Sequence, residues 1–149
     1  MPVPHPALAF LCVLCAGIGL DFWRSPAWLS ALPAGLRIGA GLGLGGSAVL
    51  LAAWGILHLR RARTPVEPGH VPSALVTSGP YRFTRNPLYL GQLLFLLGLG
   101  LAAFPWLLPG AAVQALLLDR LVIPSEEARI AARFGEAFEA YRARVRRWI

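Results

Sequence analysis

With 149 residues, 56% of them apolar and only 14% charged, the chain has room for one domain and is too greasy for an ordinary soluble domain of that size. Its formal charge of +7 comes from 14 basic residues, all arginine, which lie between and after the apolar runs. No basic module with interleaved aromatics stands apart from those runs, which excludes a nucleic-acid-binding domain; arginine so placed sets membrane topology and meets anionic headgroups.

The runs, in chain order, predict an all-α integral membrane protein of about four transmembrane helices. The first runs from Pro6 to Phe22. No basic residue precedes it and Arg24 follows it, so it reads as a retained helix and not as a signal peptide. Cys12 and Cys15 within it lack the two further ligands of a structural zinc site; they read as small packing residues, and no metal is expected. The second run, Leu36 to Leu59, contains Gly41-Leu42-Gly43-Leu44-Gly45-Gly46. That string fits the dinucleotide fingerprint in letters only, because no strand precedes it. Gly35, Gly39 and Gly43 at steps of four, and Gly41 with Gly45, fit close approach between membrane helices and offer a face for a homodimer.

The third run, Leu88 to Phe104, and the fourth, Trp106 to Ile123, are separated by Pro105 and by Pro109-Gly110, which predicts a helical hairpin. Gln92 and Gln114 are expected to bond between its helices, and Asp119 with Arg120 to pair or to line a wet cavity. Beyond them, Ile130, Phe134, Phe138, Tyr141, Val145 and Trp148 recur at steps of three and four, which predicts one amphipathic helix from Ser125 to Trp148, lying on the membrane surface or covering the core. The organisation is thus a single domain, 1–149: two N-terminal transmembrane helices (1–59), an interfacial segment (60–87), the hairpin (88–123) and a cytoplasmic C-terminal helix (124–149).

Arginine bias gives the orientation. The middle segment holds Arg60, Arg61, Arg63, Arg82 and Arg85 against one acid, Glu67, and the tail holds Arg129, Arg133, Arg142, Arg144, Arg146 and Arg147. The positive-inside rule puts both termini and the middle segment in the cytoplasm, with a bacterial inner membrane as the expected setting. The two charge-rich segments then share one side, where they can build one site.

Two constellations carry chemistry. In Thr77-Ser78-Gly79-Pro80-Tyr81-Arg82-Phe83-Thr84-Arg85-Asn86-Pro87-Leu88-Tyr89-Leu90-Gly91, Gly79-Pro80 makes a turn, and Asn86-Pro87 starts a helix with Asn86 as cap. The helix start favours an anionic group, Arg82 and Arg85 add forked donors suited to carboxylate or phosphate, and Tyr81 and Tyr89 add flat faces with polar tips. In Pro124-Ser125-Glu126-Glu127, adjacent carboxylates at a membrane boundary suit hydroxyl or ammonium groups, although acids in the first turn of the tail helix would also satisfy its dipole.

Together, Gly79-Pro80-Tyr81-Arg82, Arg85-Asn86-Pro87-x-Tyr89-x-Gly91, an apolar hairpin, Glu126-Glu127, Phe134-Gly135 and Tyr141 resemble the isoprenylcysteine carboxyl methyltransferases and phospholipid N-methyltransferases. The resemblance covers Thr77 to Trp148 and implies transfer of a methyl group from S-adenosylmethionine, bound from the cytosolic side, to a lipid or other lipophilic acceptor, carboxylate or amine. It implies cofactor binding by Tyr81, Arg85, Asn86, Pro87, Tyr89 and Gly91 on one wall and by Glu126 and Glu127 on the other, with Arg82, Arg85 and Glu127 as the catalytic candidates. Carboxyl methyltransferases of this kind commonly carry His where this chain has Asn86, whereas the phospholipid branch can carry Asn-Pro. Asparagine cannot change charge near neutral pH, which argues against a proton shuttle there. Two other classes fit less of the pattern: a membrane reductase related to sterol reductases, using a nicotinamide cofactor, and a non-catalytic adaptor or transporter subunit.

Overall fold

The computed structural model describes residues 5–66 and 72–149; Glu67, the one acid counted in the middle segment, lies outside them. Helix α1 (Pro6–Trp23) is followed by α2 (Ala34–Arg61), α3 (Pro87–Ala102), α4 (Leu107–Leu117), a π-helical turn (Leu118–Val122), α5 (Ile123–Phe134) and α6 (Glu136–Arg144). The architecture is all-helical, as expected. Three helical stretches, Pro6–Trp23, Ala34–Arg61 and Leu107–Phe134, are long and apolar enough to cross a membrane. Helix α3 is apolar but has 16 residues, a rise of about 24 Å against the ~30 Å of a hydrocarbon core.

The principal packing is α2 against antiparallel α3. A Cβ at Gly41 would lie 2.5 Å from the Gly98 carbonyl oxygen, and one at Gly98 would lie 2.6 Å from that of Gly41, so the two backbones touch. Gly35, Gly39 and Gly43 have nothing within 4 Å of a Cβ position. The glycines of the second run thus divide between a face consumed inside the fold and a face left open.

The hairpin forms with its turn at 103–106. Pro109-Gly110 does not belong to that turn, since both residues sit in the first turn of α4, where a missing N–H costs little. Leu96 meets Leu107 and Ala111 across the hairpin, with Phe10, Val13 and Leu14 of α1 packed behind. The expected bonds of the glutamines do not form: Gln92 Oε1 and both amide atoms of Gln114 are buried without a partner among the described residues.

The fourth run does not stop at the predicted boundary. Pro124 has no N–H and would clash with a carbonyl four residues back. One turn earlier the helix widens: the Ile123 N–H donates to the Leu118 carbonyl, five residues away, and the helix then continues to Phe134. The predicted single helix from Ser125 to Trp148 is in turn broken at Gly135, which has φ +51, a conformation that favours glycine. Past α6 the backbone becomes extended at Val145. The apolar stripe is therefore split: Phe138 and Tyr141 are buried on α6, while Trp148 reaches back to the cluster of Tyr89, Leu118, Val122 and Ile123.

Candidate active site

The site is assembled at the start of α3. Ahead of it, a 3-10 turn (Gly79–Arg82) begins at Gly79 with φ 61, and the ring of His58 occupies the space where a Cβ at Gly79 would sit. This turn buries Pro80 and Tyr81. Tyr141 donates its hydroxyl to the Tyr81 carbonyl at 2.6 Å, tying α6 to the turn. Burial pushes the Tyr141 phenol up to about 12 and the Tyr81 phenol higher still, so both keep their O–H at any working pH.

Asn86 takes the cap position, with Pro87 first in the helix, but its side chain makes no capping bond. Its Nδ2 instead donates to the Arg147 carbonyl at 3.1 Å. The Thr84 hydroxyl donates to that same oxygen at 2.9 Å and accepts from the Asn86 N–H at 3.1 Å. These contacts with the chain past α6 stand in place of the expected cap.

The two acids do different things. Glu126 Oε1 accepts the Tyr89 hydroxyl at 2.6 Å. Glu127 Oε1 accepts Arg85 Nε at 3.1 Å and Nη2 at 2.7 Å, and its Oε2 accepts Arg147 Nη2 at 2.8 Å. Neighbouring side chains on a helix diverge, so one carboxylate faces α3 while the other is held between two guanidiniums. Arg85 also donates from Nη1 to the carbonyls of Val145 and Arg142. Arg147 donates from Nη1 to Asp119 Oδ1 at 2.9 Å, and its carboxylate partners push its guanidinium above the ordinary value.

The expected pairing of Asp119 with Arg120 is present but long, and this network gives Asp119 closer partners. Asp119 Oδ1 accepts Arg147 and also Trp148 Nε1 at 3.2 Å, whereas Arg120 Nε lies 3.8 Å from Oδ2 on a side chain that is 74% exposed.

Beside these groups is a cavity of about 630 Å³, within the range of small-molecule sites. Tyr81, Arg85, Asn86, Tyr89, Glu126 and Arg129 line its polar end. Its other arm runs along α3 past Gly91 and Gln92 to Phe95, between Ala48, Val49 and Ala52 of α2 and Phe10 of α1. Asn86 to Phe95 is about 13 Å of helical rise. A smaller cavity of about 100 Å³ is lined by Arg85, Asn86, Glu126 and Glu127 together with Phe138 and Tyr141.

Tyr81, Arg85, Asn86, Pro87, Tyr89, Gly91 and Glu126 thus line one cavity, and Glu127 lines its smaller neighbour. Arg82 is not brought to them: it is exposed, with its guanidinium 5.3 Å from the Phe83 ring centre, and it lines neither cavity. Sequence reasoning missed Arg147, Thr84, Arg129 and the small residues of α2. The signal for Arg147 was Asp119, an acid in an apolar helix that demanded a cation and was matched to the nearest one in sequence.

The model of the phospholipid methyltransferase family matches residues 36–137, more than half of the chain, from the first turn of α2 to the second residue of α6. No curated protein and no solved structure gives a match.

Proposed function

The chain belongs to the phospholipid methyltransferase family and is a membrane methyltransferase, and on that premise we propose that it moves a methyl group from S-adenosylmethionine to a carboxylate or amine on a lipophilic acceptor. The observation that carries this reading is a single cavity joining a polar end at Glu126 and Asn86 to an apolar arm between α1, α2 and α3. One end suits a charged, hydroxyl-rich small molecule and the other a hydrocarbon chain.

The residues present fit such a cofactor. Glu126 offers a carboxylate to hydroxyl or ammonium groups, Tyr81 and Tyr89 offer aromatic faces, and Asn86 offers an amide at the helix start. Arg85 and Glu127 bind each other, with side chains 11% and 12% exposed, so their proposed part is to fix the wall rather than to touch the reacting atoms. S-adenosylmethionine bound there supplies a sulfonium methyl that is already activated. The protein's task is then to align the acceptor and exclude water, which the apolar arm does. A carboxylate acceptor loses no proton. An amine acceptor must lose one, and Glu126, with its hydroxyl donor Tyr89, is the base on the cavity wall. Both termini and the mouth of the cavity face the cytoplasm in this reading, by the arginine bias.

Titration of the purified protein in lipid nanodiscs with S-adenosylhomocysteine tests the reading: binding is expected, and no heat in nanodiscs or in several detergents would reject it. Labelled methionine, followed by mass spectrometry of lipids from cells with and without the protein, identifies the acceptor.

A further inference from the structure

The segment that follows α6 lies outside the stretch matched to the family, yet it touches most of the polar residues at the start of α3. The Arg146 carbonyl accepts the Arg85 N–H at 3.0 Å. The Arg147 carbonyl accepts the Thr84 hydroxyl and the Asn86 amide, and the Val145 carbonyl accepts the Arg85 guanidinium. The chain past α6 is irregular, with no helix or sheet to hold it. Its register comes from two side chains: Trp148, packed on the cluster around Tyr89 and bonded to Asp119, and Arg147, whose guanidinium bridges Asp119 on the π-helical turn and Glu127 on α5. Asp119 and Glu127 stand about two helical turns apart, so one planar fork spanning them fixes this segment along the helix as well as against it.

We propose that Arg147 is a positioning residue of the methyltransferase site: bridging Asp119 and Glu127, it sets the C-terminal segment whose carbonyls orient Asn86 and Arg85 on the cavity wall. The inference rests on the methyltransferase reading of the cavity. The bridge needs two separated donors, and a lysine supplies one point of charge; Arg147→Lys therefore keeps one contact at a time and recovers only part of the effect.

The test uses the full chain in lipid nanodiscs, as wild type, Arg147→Ala and Arg147→Lys. Hydrogen exchange at the Arg85 amide reads the placement of this segment without any ligand, and titration with S-adenosylhomocysteine reads the site. In Arg147→Ala the Arg85 amide is expected to exchange at least ~10-fold faster while the α3 amides beyond Leu90 keep their protection, and the Kd is expected to rise by a similar factor; Arg147→Lys falls between. Unchanged exchange and Kd in Arg147→Ala overturn the proposal, as does a loss of binding that only tracks the folded fraction. If Arg147→Ala does not fold, Arg147→Lys decides, and wild-type exchange and Kd in that variant reject the role. Wild-type protein that binds no S-adenosylhomocysteine overturns the methyltransferase reading and, with it, the cofactor side of this inference; unchanged Arg85 exchange beside intact wild-type binding overturns the inference alone.

Discussion

The crossing of α2 and α3 at Gly41 and Gly98 and the polar cluster around Glu127 are both tight, for opposite reasons. The first is held by the lack of side chains: two glycines let backbones meet, and contact is lost if either gains a methyl group. The second is held by long, charged side chains from three distant stretches, Arg85, Asp119 with Glu127, and Arg147, each satisfying another. An apolar crossing degrades in proportion to the volume inserted. A charge network fails when one partner goes, because a half-buried guanidinium such as that of Arg85 loses its carboxylate.

The largest effect is expected at Glu127. Glu127→Ala removes the only carboxylate shown bonding Arg85 and one of two bonding Arg147, and should destabilise the fold by about 3–5 kcal/mol in chemical unfolding from mixed micelles. A loss below ~1 kcal/mol would show the cluster to be solvated and would end the contrast with the glycine crossing. Next comes Gly98→Ala, whose new Cβ must push Gly41 and Gly45 away; about 1–3 kcal/mol should be lost, and Gly43→Ala, with open space around it, serves as the control that loses none. Glu126→Gln keeps an acceptor for the Tyr89 hydroxyl but removes the charge at the cavity. Stability should hold while affinity for S-adenosylhomocysteine falls about tenfold, ~1.4 kcal/mol, by calorimetry; equal losses from Glu126→Gln and Glu127→Gln in both assays would mean the two acids share one role. The smallest effect is expected for Arg82→Ala, which removes an exposed contact with Phe83 of about 0.5 kcal/mol and should leave that affinity within twofold.

Much of this was legible before any coordinates. The four apolar runs, the hairpin, the helix start at Asn86-Pro87 and the grouping of Tyr81, Arg85, Asn86, Tyr89 and Gly91 with Glu126 each follow from a local pattern: a run long enough to bury, a proline where helices begin, an acid where the bilayer ends. Errors came where local signals had two outcomes. Pro124 can end a helix or be absorbed by a widened turn, and Gly135 can be tolerated or can break the stripe; the choice depends on what packs alongside. Arg82 and Arg85 are three residues apart and look alike in sequence, yet one points to solvent and the other reaches Glu127.

The sequence by itself determined the membrane character, the helical class and which residues had the chemistry for a site, because hydropathy, proline and charge act over a few residues at a time. Only the tertiary structure decided that Glu126 and Glu127 part company, that Asp119 binds Arg147 more closely than its neighbour Arg120, and that Asn86 is held by a carbonyl 61 residues away. Those outcomes depend on which of several arginines can reach a half-buried carboxylate, and reach is set by how the helices and the returning C-terminal segment pack, a property no short stretch of sequence contains.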